Sequence, residues 1–334
     1  MEGPMAENDP GNLTRRTMVA ACAGAGAVGI VESASAQRLP APPRAKGPLV
    51  WLDMDQQDLD EAYDQRVYAP NQPNITERRN WNSEKVREVL GEPTVLAYGP
   101  AEIEKIEVYK TNRPNAPVNV YVHGGAWRGG RARQNAYMAE TYVKGGAHFA
   151  PVDFYNVGET NGDIFPMVDQ VRRAVAWVYR NAASFGADRE RIYLCGHSSG
   201  AHLGGCVLLT DWTREGLPQD IIKAALLGSG MYDLKAVRLS QRSSYVKFTD
   251  RMEHELSAQR HLERIRTPLT LTYGSLETPE FQRQTRDFHA ALMAAGKPAR
   301  LIVGRGYNHY ETQETMGNPY GFMGRAALEM MKLS

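Results

Sequence analysis

Two short stretches carry residue types able to do chemistry at the spacing that chemistry requires. Gly196-His197-Ser198-Ser199-Gly200 matches the pattern G-x-S-x-G. It follows RIYLCG (191–196), an apolar run with the character of a strand, and precedes AHLGGCVLLT (201–210), which reads as a helix despite its glycines. A strand–turn–helix setting is what the pattern needs to present a serine hydroxyl as a nucleophile. Glycines at both ends allow a sharp turn without a Cβ clash. The helix start adds free N–H groups and a dipole that favour a developing anion. Ser198 is the expected nucleophile. Ser199 lies beyond the turn, where its N–H is more useful than its hydroxyl.

The second stretch is His123-Gly124-Gly125-Ala126-Trp127, at the end of an earlier apolar run. Glycines here let the backbone approach a substrate carbonyl. The N–H groups of Gly125, Ala126 and Ser199 are the expected oxyanion hole. Candidates for the pocket wall are Trp127, His123, Tyr155, His197 and Tyr310. Trp127 can either wall the pocket or pack beneath the loop, and His123 fits an organiser of the loop better than a base. His197 and His202 flank the turn without an HExxH pattern or acidic partners, so no metal site is expected.

These residues need a scaffold, and the surrounding pattern supplies one. Strand-like runs occur at 103–110, 117–125, 147–154, 191–196, 221–230, 268–274 and 299–306. Helical periods separate many of them. The clearest lies at 163–183, where Val168, Val171, Val175 and Val178 fall on one face. Alternation of this kind predicts a mostly parallel central sheet with helices on both faces. Residues 53–90 read as a polar, helical lead into the sheet. The segment 231–267 is expected to form a small cap over the strand ends.

HGGAW (123–127), GHSSGAHL (196–203), GSLETPEFQRQ (274–284) and NHYE (308–311) resemble the α/β-hydrolase superfamily. They are most similar to its kynurenine formamidase (arylformamidase) branch and the esterases related to it. The resemblance spans roughly residues 60–332. It implies an α/β-hydrolase fold and a serine hydrolase that uses no cofactor. It also implies the other two members of a catalytic triad. Glu277 follows the strand PLTLTYG where the family carries its acid, commonly Asp. His309 follows the last strand, giving the chain order Ser198, Glu277, His309. Asp233, after the preceding strand, is a rival for the acid. Ser199 stands where relatives usually carry Ala. The implied activity is cleavage of a small, aromatic ester or amide through an acyl-enzyme. True arylformamidase activity is the alternative. A hydrolase-fold binding module that had lost catalysis would lack one of these residues, and here all are present.

Composition bounds the rest. At 334 residues the chain can build one large core or two modest ones. Lys and Arg number 39 against 38 Asp and Glu, so no strongly basic face for nucleic acid is implied. No G-x-G-x-x-G opens a nucleotide-binding unit. Three cysteines are too few for a disulfide scaffold. Arg15-Arg16, the mild apolar run at 19–31 and the small residues ending at Ala36 read as a twin-arginine export signal over 1–36. That run is shorter than the roughly 20 residues a membrane span needs. The expected organisation is a leader (1–36), a Pro-rich lead-in (37–60) and a catalytic domain (61–334). Expected partners are the small substrate and the export machinery, with no stable membrane insertion; a homodimer stays open. The expected compartment is the periplasm or the exterior, with the cytoplasm as the alternative.

Overall fold

Strands whose residues are apolar on both faces can be satisfied only between two helical layers. In β5 (Ala116–Val122), Val118, Val120 and Val122 enter one core cluster while Tyr121 enters the other. The same division recurs further along the chain. In β7 (Ala187–His197), Ile192 and Leu194 face one way, and Tyr193 and Cys195 the other. In β8 (Ala224–Gly228), Leu227 opposes Leu226. These runs therefore form the centre of the computed structural model, which describes residue 1 and residues 44–333. The leader read at 1–36 lies almost wholly outside the described residues. One compact unit spans Lys46–Ser334.

In chain order the unit opens with a hairpin, β1 (Leu49–Trp51) and β2 (Met54–Asp55). It continues with α1 (Gln56–Ala62) and the long α2 (Gln72–Leu90). β3 (Thr94–Ala97) and β4 (Lys105–Val108) pair antiparallel and form one edge of the sheet. After β5 come α3 (Ala139–Gly145), β6 (His148–Val152) and α4 (Phe165–Asn181). β7 leads into α5 (Ser199–Val207). β8 is followed by α6 (Leu234–Leu239) and α7 (Asp250–Glu255), joined by short turns of 3₁₀-helix across the 231–267 segment. β9 (Leu269–Gly274), α8 (Pro279–Ala294), β10 (Ala299–Gly304), α9 (His309–Glu314) and α10 (Phe322–Met330) complete the chain.

The main sheet has eight strands in the order β10-β9-β8-β7-β5-β6-β4-β3. β5 to β10 are mutually parallel, and β4 joins β6 antiparallel. This mixed sheet with helices on both faces agrees with the layered pattern and is the α/β-hydrolase fold that the resemblance implies. Its parallel strands end at one rim. The turns after β5, β7, β8, β9 and β10 all open there, where ligands of such sheets bind. Among the described residues, no helix is long and apolar enough to cross a membrane.

Candidate active site

At the rim, β7 turns into α5 through a single residue. Ser198 has φ 57° and ψ −126°. A non-glycine residue in such a conformation costs roughly 1–3 kcal/mol and persists only where its surroundings fix it. Here its N–H donates to the Gly228 carbonyl at 2.9 Å, and the His202 N–H donates to its carbonyl at 3.1 Å. Gly200 starts the helix so close to β5 that a Cβ would lie 2.1 Å from the Val122 carbonyl oxygen. The glycine thus lets the helix slide under the strand end and raises Ser198 to the cavity floor.

Glu277 follows β9 and His309 follows β10, the two strands beyond β8 at that edge of the sheet. The buried Glu277 carboxylate meets three donors: Ser229 Oγ at 2.6 Å, Gly274 N at 2.7 Å and His309 Nδ1 at 2.8 Å. His309 is the first residue of α9, a short helix that the sequence pattern does not reveal. Asn308 caps it by accepting from the N–H groups of Tyr310 and Glu311, while Glu311 accepts from the Asn308 N–H. That reciprocal capping box fixes the backbone from which the imidazole projects. The Phe281 ring edge lies 5.0 Å away and the His197 ring 4.5 Å away, centroid to centroid. With Nδ1–H donating to Glu277, Nε2 holds the lone pair a base needs. Ser198 and His309 line the same cavity, with no hydrogen bond between them among the described residues. Such contacts commonly tighten only with substrate in place. The rival acid, Asp233, is engaged elsewhere: it caps α6 through the Lys235 N–H and pairs with Arg260 at 2.7 Å.

The glycine loop is wound tightly. Gly125, Ala126 and Trp127 have φ of 128°, 55° and 60°. A Cβ on Gly125 would fall 2.1 Å from the Gly129 carbonyl oxygen, so only glycine fits. The Gly125 carbonyl accepts from the N–H groups of Arg128 and Gly129, which closes the turn. Gly125 and Ala126 line the cavity. Their amides and that of Ser199 donate to no partner among the described residues. The Ser199 hydroxyl instead accepts from Trp127 N at 3.2 Å and ties the loop to the helix start.

Three pocket candidates fall outside the cavity wall. Trp127 is buried beneath the loop, where its indole N–H donates to His202 Nδ1 at 3.2 Å. His202 in turn donates from Nε2 to the Leu256 carbonyl at 3.0 Å, and burial pushes its pKa down to about 4. His123 stacks on Phe154 at 4.2 Å with Nδ1 2.9 Å from the Gly124 carbonyl, and burial likewise lowers it to about 4. Tyr155 is not a lining residue; its N–H donates to Gln170. His123 and Trp127 belong to the glycine-loop motif, but the tight loop turns both inward. His197 and Tyr310 do line the cavity. Burial above all, then the charges of His309 and Arg79, hold His197 well below the usual imidazole range.

The remaining wall comes from residues that sequence reasoning missed. The cavity, about 400 Å³, takes Tyr63 from the segment after α1, Arg79 from α2, Arg128 from the glycine loop, and Arg242 and Tyr245 from the 231–267 segment. No motif marks them, because they converge only in the fold. Among the described residues no group of three or more His, Cys, Asp or Glu is placed to hold a metal. Cys195 and Cys206 are buried free thiols, each raised to about 12 by burial.

Comparison with known proteins agrees with this architecture. The BD-FAE family matches residues 105–237. Kynurenine formamidase of Danio rerio is 30% identical over 260 residues, covering 74% of this chain and 86% of that protein. The isoprenylcysteine alpha-carbonyl methylesterase ICME of Arabidopsis thaliana is 29% identical over 64% of this chain and 55% of its own length. A crystal structure described as a putative thioesterase from Silicibacter sp. TM1040 superposes with a TM-score of 0.68 at 21% identity, over 82% of this chain and 98% of that one. The chain therefore belongs to the α/β-hydrolase superfamily, among its esterases. Within that superfamily it is homologous to kynurenine formamidase and the esterases related to it, a family of hydrolases acting on small substrates.

Proposed function

We propose that the protein is a cofactor-independent serine hydrolase that cleaves an ester or amide of a small, aromatic substrate through an acyl-enzyme. The observation that carries this reading is the 2.8 Å contact from His309 Nδ1 to Glu277, on a cavity whose floor is the strained Ser198. His309 Nε2 takes the Ser198 proton as Oγ attacks the carbonyl carbon. Glu277, ionised and held by three donors, keeps the tautomer and stabilises the imidazolium. The free amides of Gly125, Ala126 and Ser199 receive the oxyanion. His309 then protonates the departing alcohol or amine. Water, deprotonated by the same histidine, releases the acid.

Similarity to kynurenine formamidase favours a second reading, in which the bond cleaved is an aryl formamide. One panel separates the two: aryl formamides, aryl acetamides, carbamates and short p-nitrophenyl esters assayed side by side. Turnover of esters with slow formamide cleavage supports the first reading, and the reverse order supports the second. No turnover of any member would reject both. The leader read at 1–36 supports action in the periplasm or outside the cell.

A further inference from the structure

We infer that the pocket selects a substrate carrying a carboxylate away from the bond to be cleaved, and that Arg79 and Arg242 bind it. The inference rests on the hydrolase reading above and names the substrate class of that site.

Four arginines line the cavity with one aspartate, Asp64. Asp64 is spent on Arg66, which grips it with two bonds of 2.9 and 2.8 Å. Arg79, Arg128 and Arg242 have no carboxylate within ion-pair distance among the described residues. Three guanidinium groups without an ion-pair contact therefore face a small cavity, and Arg242 feels Asp64 only at longer range. Arg242 is the most telling, because it is only 5% exposed. Burying a cation without a counter-ion is expensive. Its Nη2 donates to the Tyr63 carbonyl at 3.0 Å and its Nη1 to the Tyr245 hydroxyl at 3.2 Å, while Nε has no partner. The faces of Trp127, Tyr63 and Phe281, 5.6–5.8 Å away, offset part of the cost. Arg79 donates to Gln313, and Arg128 lies 4.2 Å over the Tyr245 ring. Phe281 touches both Arg242 and His309, so the charge sits one ring away from the base. A guanidinium fork matches a planar carboxylate. Arg79 and Arg242 also lie outside the 105–237 stretch matched by the BD-FAE family, so the charge is a property of the elements around the motifs.

Two matched pairs test the proposal on the full chain: 4-acetoxybenzoate against its methyl ester, and 4-nitrophenyl hemisuccinate against its methyl ester. Calorimetric titration with benzoate and with neutral benzamide reads binding without turnover. Loss of a charged hydrogen-bonding partner implies a preference of roughly tenfold or more. The expected result is tighter binding of benzoate than of benzamide by that factor, weakened by salt. At least one acid should be preferred over its methyl ester, mainly through KM. Arg79→Gln should collapse both preferences; Arg242→Lys, its folding checked by thermal denaturation, should reduce them. Equal binding of benzoate and benzamide, or a preference that survives both substitutions, would overturn the inference. Cleavage of the methyl esters with no acid preference overturns it while leaving the hydrolase reading intact. Benzoate binding without cleavage of any ester supports it and rejects the hydrolase reading.

Discussion

Replacing Glu277 with Gln should change its shape little and its chemistry completely. One carboxylate oxygen accepts from Ser229 Oγ and Gly274 N, and the other from His309 Nδ1. In the Glu277→Gln protein the new amide oxygen must stay where the Gly274 N–H points, because a backbone N–H cannot accept. The amide nitrogen then faces His309 and donates to Nδ1. That forces the proton of the neutral imidazole onto Nε2, the atom that should act as base. Turning the amide round would leave the buried Gly274 N–H unpaired, at about 1–3 kcal/mol. A wrong tautomer of this kind in a serine protease costs about 10⁴ in kcat, equivalent to about 5 kcal/mol of transition-state stabilisation. We expect a loss of that order in kcat, with KM little changed, measured on p-nitrophenyl acetate. Asp233→Asn, which keeps an acceptor for the Lys235 N–H and loses only the charge paired with Arg260, should be mild by comparison. Activity of Glu277→Gln within about tenfold of the parent, or a larger loss from Asp233→Asn, would refute the assignment of the acid.

Three further outcomes are expected. Burial holds His123 and His202 at about 4 against an ordinary 6.5, so their contribution to stability is present above pH 6.5 and lost as pH falls towards 4, by up to about 3 kcal/mol each. Asp153, raised to about 6, acts in the opposite sense, so urea midpoints from pH 7 to 5 should fall more steeply in Asp153→Asn than in the parent. Gly200→Ala drives a Cβ against the Val122 carbonyl and should cost at least 1–3 kcal/mol, roughly the penalty of overpacking, along with most activity; a urea midpoint equal to the parent's would contradict the close packing. Native material should begin near Gln37 with Cys195 and Cys206 unoxidised, as N-terminal sequencing and intact mass would read; active protein confined to the cytoplasm with residues 1–36 attached would reject export.

The central strands and the turn that presents Ser198 are legible in the sequence because each is encoded locally. β8 and the Ile192–Cys195 part of β7 are short apolar runs, β5 is apolar but for Asn119, and Gly196 to Gly200 sit between a strand and a helix. β3 is hidden because it is a four-residue edge strand whose short apolar run, Val95 to Ala97, lies mostly in solvent. α9 is hidden because six residues are too few for a helical period, although Asn308 and Glu311 carry the signature of its cap. The role of the Ser199 hydroxyl in tying down the loop needs the distance to Trp127 N. The pocket wall is the least readable part. Arg79 and Arg242 come from far-separated elements, and nothing in either neighbourhood indicates that they share a cavity.

Covalent labelling with a serine-directed fluorophosphonate tests the central claim most directly. The account predicts one label per chain, mapped by peptide mass spectrometry to Ser198, with activity falling in proportion. Ser198→Ala should be folded, unlabelled and inactive. A label on Ser199, or an active Ser198→Ala protein, would contradict it.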